Sequence, residues 1–229
     1  MNIAEFLKKK NESSQTVLTE FESKELLEEI GIVVPDQSLT SSKEETLSAA
    51  EKIGFPVVLK LMAEDVIHKS DTGAVKLNLK TKEEVEEAYD ALMKIPAQAE
   101  KKISVQNMAD EPITELIIGM TTDPQFGPAL MFGIGGILVE LLEDVSFRIA
   151  PITEYDANEM IKEIKGFPIL DGYRGKPKAD LGAIVKTLLK ISDLVVKHEE
   201  INEMDLNPVF IYEKGLICVD ARIILKNKD

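Results

Sequence analysis

The chain has 229 residues, 44% of them hydrophobic and 30% charged, with a formal charge of −14. That length suits one large or two small domains with a core that needs no staples. The acidic surplus excludes non-specific binding to nucleic acid or an anionic membrane, because both need a basic face. Cys218 is the only cysteine, so an intrachain disulfide and a Cys-rich zinc site are excluded. Its setting, Leu216-Ile-Cys-Val219, reads as a buried, inert thiol. Residues 1–10 have no apolar stretch fit for a signal peptide, and no run elsewhere could span a bilayer. A soluble, cytoplasmic protein with no membrane or nucleic-acid partner is expected. A nucleotide is still compatible, since a few lysines and a metal ion can reverse the local field.

In chain order, residues 1–16 read as a short helix and a loose link. Thr19 starts a helix whose apolar positions are Phe21, Leu26, Leu27 and Ile30, and Gly31 stops it. Ile32-Val-Val34 reads as a short extended segment ending at Pro35. Ser41 or Ser42 caps a second helix through Ile53, stopped by Gly54. Val57–Leu61 and Val75–Leu79 are predicted strands, and Thr81–Lys94 a capped amphipathic helix. Ile103–Met108 and Thr114–Met120 are predicted strands joined by the turn Asp110-Glu-Pro112. Strands at Pro128–Phe132 and Ile137–Leu142 flank the Gly133-Ile-Gly-Gly136 loop. Helices follow at about Glu154–Ile164 and Asp180–Lys197. Strands at Ile201–Leu206, Pro208–Tyr212 and Leu216–Val219 finish the chain, the last two forming a hairpin through Glu213-Lys-Gly215. The mixture predicts an α+β fold, or α/β with largely antiparallel sheets. The pattern changes near residue 103, which suggests an N-terminal segment over 1–17 and two lobes over 18–102 and 103–229.

Lys60 closes the strand Val57-Val-Leu59, and Lys76 lies on the strand after the loop Ile67-His-Lys-Ser-Asp-Thr-Gly73. Taken alone, each reads as a strand lysine snorkelling to solvent. Flanking one Gly/Ser/Asp/Thr loop together, they point towards an anion site. His68 in that loop reads either as a surface histidine bonded within its turn or as a phosphoryl acceptor. In the second reading Lys69 and Ser70 stabilise the phosphohistidine and Asp71 orients the ring. Glu203, Asp205 and Asn207 alternate along a predicted strand, so they share one face while Met204 and Leu206 point into the core. The hairpin returns Asp220, 13 residues after Asn207, to its side. Oxygen ligands on adjacent strands, completed by phosphate oxygens, suit magnesium; the alternative is a solvated strand face. The Gly133–Gly136 loop either turns its amides to an anion or lets another segment approach closely. Arg148 and Arg174 read equally as phosphate clamps or as salt-bridge partners.

These pieces in this order resemble the ATP-grasp superfamily, and more closely the beta subunits of ADP-forming acetyl-CoA synthetase (acetate–CoA ligase, ADP-forming). The most specific stretches are Ile67-His-Lys-Ser-Asp71, Met131-Phe-Gly-Ile-Gly-Gly136 with Asp144-Val-Ser-Phe-Arg148, and Asp205-Leu-Asn-Pro208 followed by Val219-Asp-Ala-Arg222. Ala74 is a departure, at a place where a second glycine is expected after Gly73; it bears on the backbone freedom of that turn. The resemblance implies an ATP-grasp fold, two α/β lobes gripping ATP or ADP with Mg2+. It implies that Lys60 contacts nucleotide phosphates, Gln106 and the backbone near Met108 line the adenine pocket, and Glu115 takes the ribose hydroxyls. Asn207 and Asp220 would hold magnesium, with Asp205 nearby. It implies an alpha subunit that binds CoA and forms an acyl phosphate, in an alpha2beta2 heterotetramer, and a phosphoryl group passing through His68 to ADP. Two other readings use the same body: a regulatory nucleotide-binding module without chemistry, and an ATP-grasp carboxylate ligase that uses a diffusible acyl phosphate.

Overall fold

The computed structural model describes residues 2–13, 15–63, 73–136 and 143–226. The chain divides into two compact units, one made of residues 1–34 and 111–229 and the other of residues 35–110. This corrects the expected break at residue 103 in two ways. Residues 103–110 complete the smaller unit, and residues 18–34 pack into the larger one.

The smaller unit is a four-stranded sheet in the order β1 (Gln37–Thr40), β4 (Lys102–Asn107), β2 (Val57–Met62), β3 (Val75–Leu79), with every neighbouring pair antiparallel. Helices α3 (Lys43–Ile53) and α4 (Lys82–Met93) cover one face. Ser42 and Thr81 cap them through the amides of Glu45 and Glu84, satisfying donors that have no partner inside the helix. Ala49, Ala50, Val85, Ala88 and Leu92 from the helices meet Val57, Leu59, Leu61, Ile103 and Val105 from the sheet. In this unit β1 is a strand that was not expected. Its carriers, Gln37-Ser-Leu-Thr40, have no alternating apolar pattern, and only pairing with β4 makes them extended. Ala74 is buried in this core, its carbonyl accepts from Leu61 N–H at 2.9 Å, and it is not among the positive-φ residues. The turn therefore tolerates a side chain there.

The larger unit begins with α1 (Ile3–Glu12) and α2 (Glu20–Glu29). Thr19 and Glu22 form a reciprocal capping box at the start of α2, and Gly31 at φ +74° ends it. Its sheet runs β10 (Ala221–Leu225), β8 (Ile201–Ile211), β5 (Thr114–Asp123), β6 (Gly127–Ile134), β7 (Val145–Ile149), and β9 (Leu216–Cys218) pairs with β8; all these pairs are antiparallel. Helices α5 (Glu154–Glu163), the short α6 (Phe167–Leu170) and α7 (Leu181–Lys197) lie on one face. Ile184, Leu188, Ile191 and Val195 form the buried stripe of α7 at helical spacing. They join Ile118, Met120, Leu130, Phe132, Met204, Leu206 and Ile223 in one core.

Residues 18–34 belong here because Leu18 N–H donates to the Ile223 carbonyl, Val17 bridges to Ile224, and Leu26 and Leu27 are fully buried in the same core. Ile32–Val34 is not a strand, though the Val33 carbonyl accepts from Cys218 N–H at 2.9 Å. Strand β10 was not expected. Strand β8 is continuous through Pro208, where two strands were expected. The expected strand Ile137–Leu142 lies outside the described residues. Among the described residues, no helix is long and apolar enough to cross a membrane.

Candidate nucleotide and metal site

In the smaller unit, alternation along β2 and β4 separates two faces. Leu59, Ile103 and Val105 enter the core, so Lys60, Ser104 and Gln106 occupy the opposite face. Lys60 sits directly across from Ser104 and is 3% exposed, so it does not snorkel to solvent. Gln106 is also buried, and its amide nitrogen donates to the Ser104 hydroxyl at 2.9 Å. Met108 follows this strand; its N–H donates to the Pro56 carbonyl at 3.1 Å, so that amide is engaged within the unit.

In the larger unit the face away from the helices is read off the pairing register. One row across five strands is Phe147, Met131, Gly119, Asp205, Arg222. The next is Ile149, Ala129, Thr121, Glu203, Ile224. The β7 and β6 side of this face is apolar, with Phe147 and Ile149 exposed, and the β8 and β10 side is ionic. Gly119 keeps the middle low: a Cβ there would come within 3.1 Å of the Met131 methyl carbon. Glu115 shares this face by alternation from Gly119 and is exposed.

The ionic end is built around a bulge. Leu116 pairs with Val209 and Ile118 with Leu206, so Asn207 and Pro208 together oppose the single residue Ile117. A two-against-one step of this kind turns a strand and re-aims a side chain. It keeps Leu206 and Val209 both in the core while Asn207 stays exposed. The segment after β9 is bonded to the bulge, with Asn207 N–H donating to the Asp220 carbonyl at 3.2 Å and Val219 N–H to the Pro208 carbonyl at 3.0 Å. The Cys218 thiol donates to the Asp220 carbonyl at 3.2 Å. Asn207 and Asp220 are thus brought together, as the hairpin predicted, with Asp205 on the same strand two residues away.

Partial desolvation pushes the Asp205 carboxyl above the usual aspartate range. The neighbouring Asp220 carboxylate adds to this and Arg222 opposes it. An aspartate raised by a neighbouring carboxylate, with an amide oxygen beside them, fits a hard divalent cation that completes its shell with water or phosphate oxygens. Among the described residues no group of three or more His, Cys, Asp and Glu side chains could hold a metal ion, so an all-protein cage is not what this face offers.

Lys60, Gln106 and Met108 therefore lie in one unit and Glu115, Asp205, Asn207 and Asp220 in the other. His68, with Lys69, Ser70 and Asp71, lies outside the described residues. Arg148 is a salt-bridge residue: its guanidinium grips both carboxylate oxygens of Glu163, and the pair raises the arginine and lowers the glutamate. Arg174 lies 5.2 Å from the Tyr173 ring. Of the two readings of the glycine loop, Gly135 supports close approach, since its N–H donates to the Glu115 carbonyl at 2.8 Å and a Cβ would touch Glu115. Asp144 is buried, and its two oxygens accept from the amides of Lys165 and Gly166, both at 2.7 Å, tying the start of α6 to the sheet. Sequence reasoning gave no role to Arg222. The available signal was its period-two position, two residues after Asp220 on a β-branched stretch.

An ATP-grasp domain model matches residues 9–225. The chain is 48% identical over 219 residues to the acetate–CoA ligase [ADP-forming] II subunit beta of Pyrococcus furiosus, covering 93% of both chains. It is 47% identical over 209 residues to acetate–CoA ligase [ADP-forming] II of Archaeoglobus fulgidus, where it covers 91% of this chain and 30% of that longer one. Among solved structures, the Ca. Korarchaeum cryptofilum dinucleotide-forming acetyl-coenzyme A synthetase 1 superposes with a TM-score of 0.87 at 46% identity, over 97% of this chain and 99% of that chain. That structure is a complex with coenzyme A and Mg-AMPPCP whose phosphohistidine segment points towards the nucleotide-binding site. The chain belongs to the ATP-grasp family and, within it, to the beta subunits of ADP-forming acetate–CoA ligases.

Proposed function

We propose that the chain is the nucleotide-handling subunit of an ADP-forming acyl-CoA synthetase, working in acyl-CoA + ADP + phosphate ⇌ carboxylate + CoA + ATP. The observation that carries this reading is the backbone-bonded pairing of Asn207 with Asp220 at the β8 bulge, beside Asp205. These three side chains would hold Mg2+, which when bound neutralises phosphate charge and orients the nucleotide. Lys60, buried on its sheet face, supplies a fixed cation for nucleotide phosphate, and Gln106 and the backbone near Met108 face the base. Glu115 takes the ribose hydroxyls.

His68 carries the phosphoryl group. Its neutral imidazole nitrogen forms a P–N bond as the phosphoryl group's bond to its donor on the partner subunit breaks. In the second transfer that P–N bond breaks while a terminal oxygen of ADP forms the new P–O bond. Catalysis here is mostly positioning and charge stabilisation, because no proton need be removed from an ADP oxygen that is already ionised. The partner is an alpha subunit that binds CoA and forms the acyl phosphate, in an alpha2beta2 assembly. The longer Archaeoglobus relative, of which this chain matches 30%, supports a partner of that kind.

The test is to incubate the chain with its partner and γ-labelled ATP. An acid-labile, base-stable phosphoadduct on His68 is expected. Nucleotide binding with no adduct would favour a regulatory module. Full turnover by His68→Ala would favour a ligase using a diffusible acyl phosphate.

A further inference from the structure

Arg222 stands directly opposite Asp205, across β8 and β10. Its neighbours Ala221 and Ile223 are buried in the core, so alternation places Arg222 on the face that carries Asp205 and Glu203. Its Nε is buried and has no hydrogen-bond partner among the described residues. A guanidinium serving only to fix a carboxylate would direct its donors there, and a buried donor left unmet is penalised. The same positive charge acts on Asp205. It does not titrate away at any physiological pH.

A cation fixed within an acidic metal-binding face has opposite effects on two ligands. It repels a bare divalent ion and attracts a metal–polyphosphate, whose net charge is negative. We infer that Arg222 makes divalent-metal binding at Asp205, Asn207 and Asp220 conditional on a nucleoside polyphosphate. Its charge opposes the lone cation, and its unmet Nε–H donates to a phosphate oxygen. The inference rests on the metal-site reading above and adds to it a selectivity: the site takes up metal with nucleotide rather than storing it. Discrimination of this kind is useful where nucleotide must leave and re-enter in each cycle.

The experiment uses the full chain and Mn2+ as a paramagnetic probe. The Mn2+ dissociation constant without nucleotide is read by electron paramagnetic resonance, and the ADP dissociation constant at saturating Mn2+ by calorimetry. In Arg222→Met and Arg222→Gln, bare Mn2+ should bind about fivefold tighter, while ADP binds about tenfold weaker. Arg222→Lys keeps the charge and should hold bare Mn2+ within about twofold of the unsubstituted chain. Opposite movement of the two constants supports the inference, because a purely structural arginine would weaken both or neither. Movement in the same direction, or no movement, overturns it. Asp220→Asn is the control for the underlying reading. If ADP binding proves independent of metal and Asp220→Asn binds as the unsubstituted chain does, the metal site itself is wrong and the inference falls with it.

Discussion

Replacing Asp180 with alanine removes two bonds made by one carboxylate. One oxygen accepts from Ala183 N–H at 3.0 Å and caps α7; the other accepts from Gly215 N–H at 2.9 Å, at the tip of the β8–β9 hairpin. An N-cap contributes about 1 kcal/mol, and a second hydrogen bond to a charged acceptor about 1.5 kcal/mol. The loss should therefore be about 2–3 kcal/mol, which for a unit of this size lowers Tm by roughly 4–12 °C. The two amides hold the Asp180 carboxyl below its ordinary value of 3.8, Gly215 contributing most. A depressed folded-state pKa means the stabilisation is complete above the unfolded value and disappears as pH falls through the lower folded one. Calorimetric scans at pH 7 and at about pH 3 should show the difference between Asp180→Ala and the unsubstituted chain shrinking in acid. Asp180→Asn, which keeps a capping oxygen, should lie between them. A Tm within about 1 °C of the unsubstituted chain at pH 7, or a gap unchanged in acid, would refute the reasoning. Because the hairpin leads into Asp220, the alanine variant should also bind ADP less tightly in the presence of metal.

Lys24 and Glu20 form a 2.8 Å pair with side chains 0% and 2% exposed, so Lys24→Ala, which strands the glutamate, should cost about 3–5 kcal/mol in urea unfolding. The double variant Glu20→Gln, Lys24→Met should recover a large part of that. Lys60→Met fills the same buried volume without the charge and should weaken ADP binding about tenfold, about 1.4 kcal/mol, with the unfolding midpoint within a few degrees of the original. Arg148→Ala should leave the ADP dissociation constant unchanged in calorimetry, because its guanidinium is committed to Glu163.

Local signals were legible in the sequence and pairing between distant strands was not. Thr19, Ser42, Thr81 and Asp180 cap the helices expected to begin beside them, and the 203–207 alternation puts Met204 and Leu206 in the core as read. The turn residues Glu213-Lys-Gly215 also placed Asp220 beside Asn207. Pro208 read as the first residue of a new strand, since a proline lacks the ladder donor a strand interior needs; the bulge keeps β8 continuous by spending two residues against Ile117. The boundary near 103 failed for a related reason. Strand β4 returns to lie between β1 and β2, and nothing within residues 103–110 reports partners so distant in the chain. Arg222 escaped notice because its meaning depends on the register of β10 against β8, a strand whose existence was not expected.

The proposed function requires that His68 relay phosphoryl groups between the partner and ADP. The most direct measurement compares His68→Ala with the unsubstituted chain, each assembled with the alpha subunit, for ADP affinity and for steady-state acyl-CoA-dependent ATP formation. An ADP dissociation constant within about twofold of the original and no detectable ATP formation are expected. ATP formation at the original rate would contradict the relay.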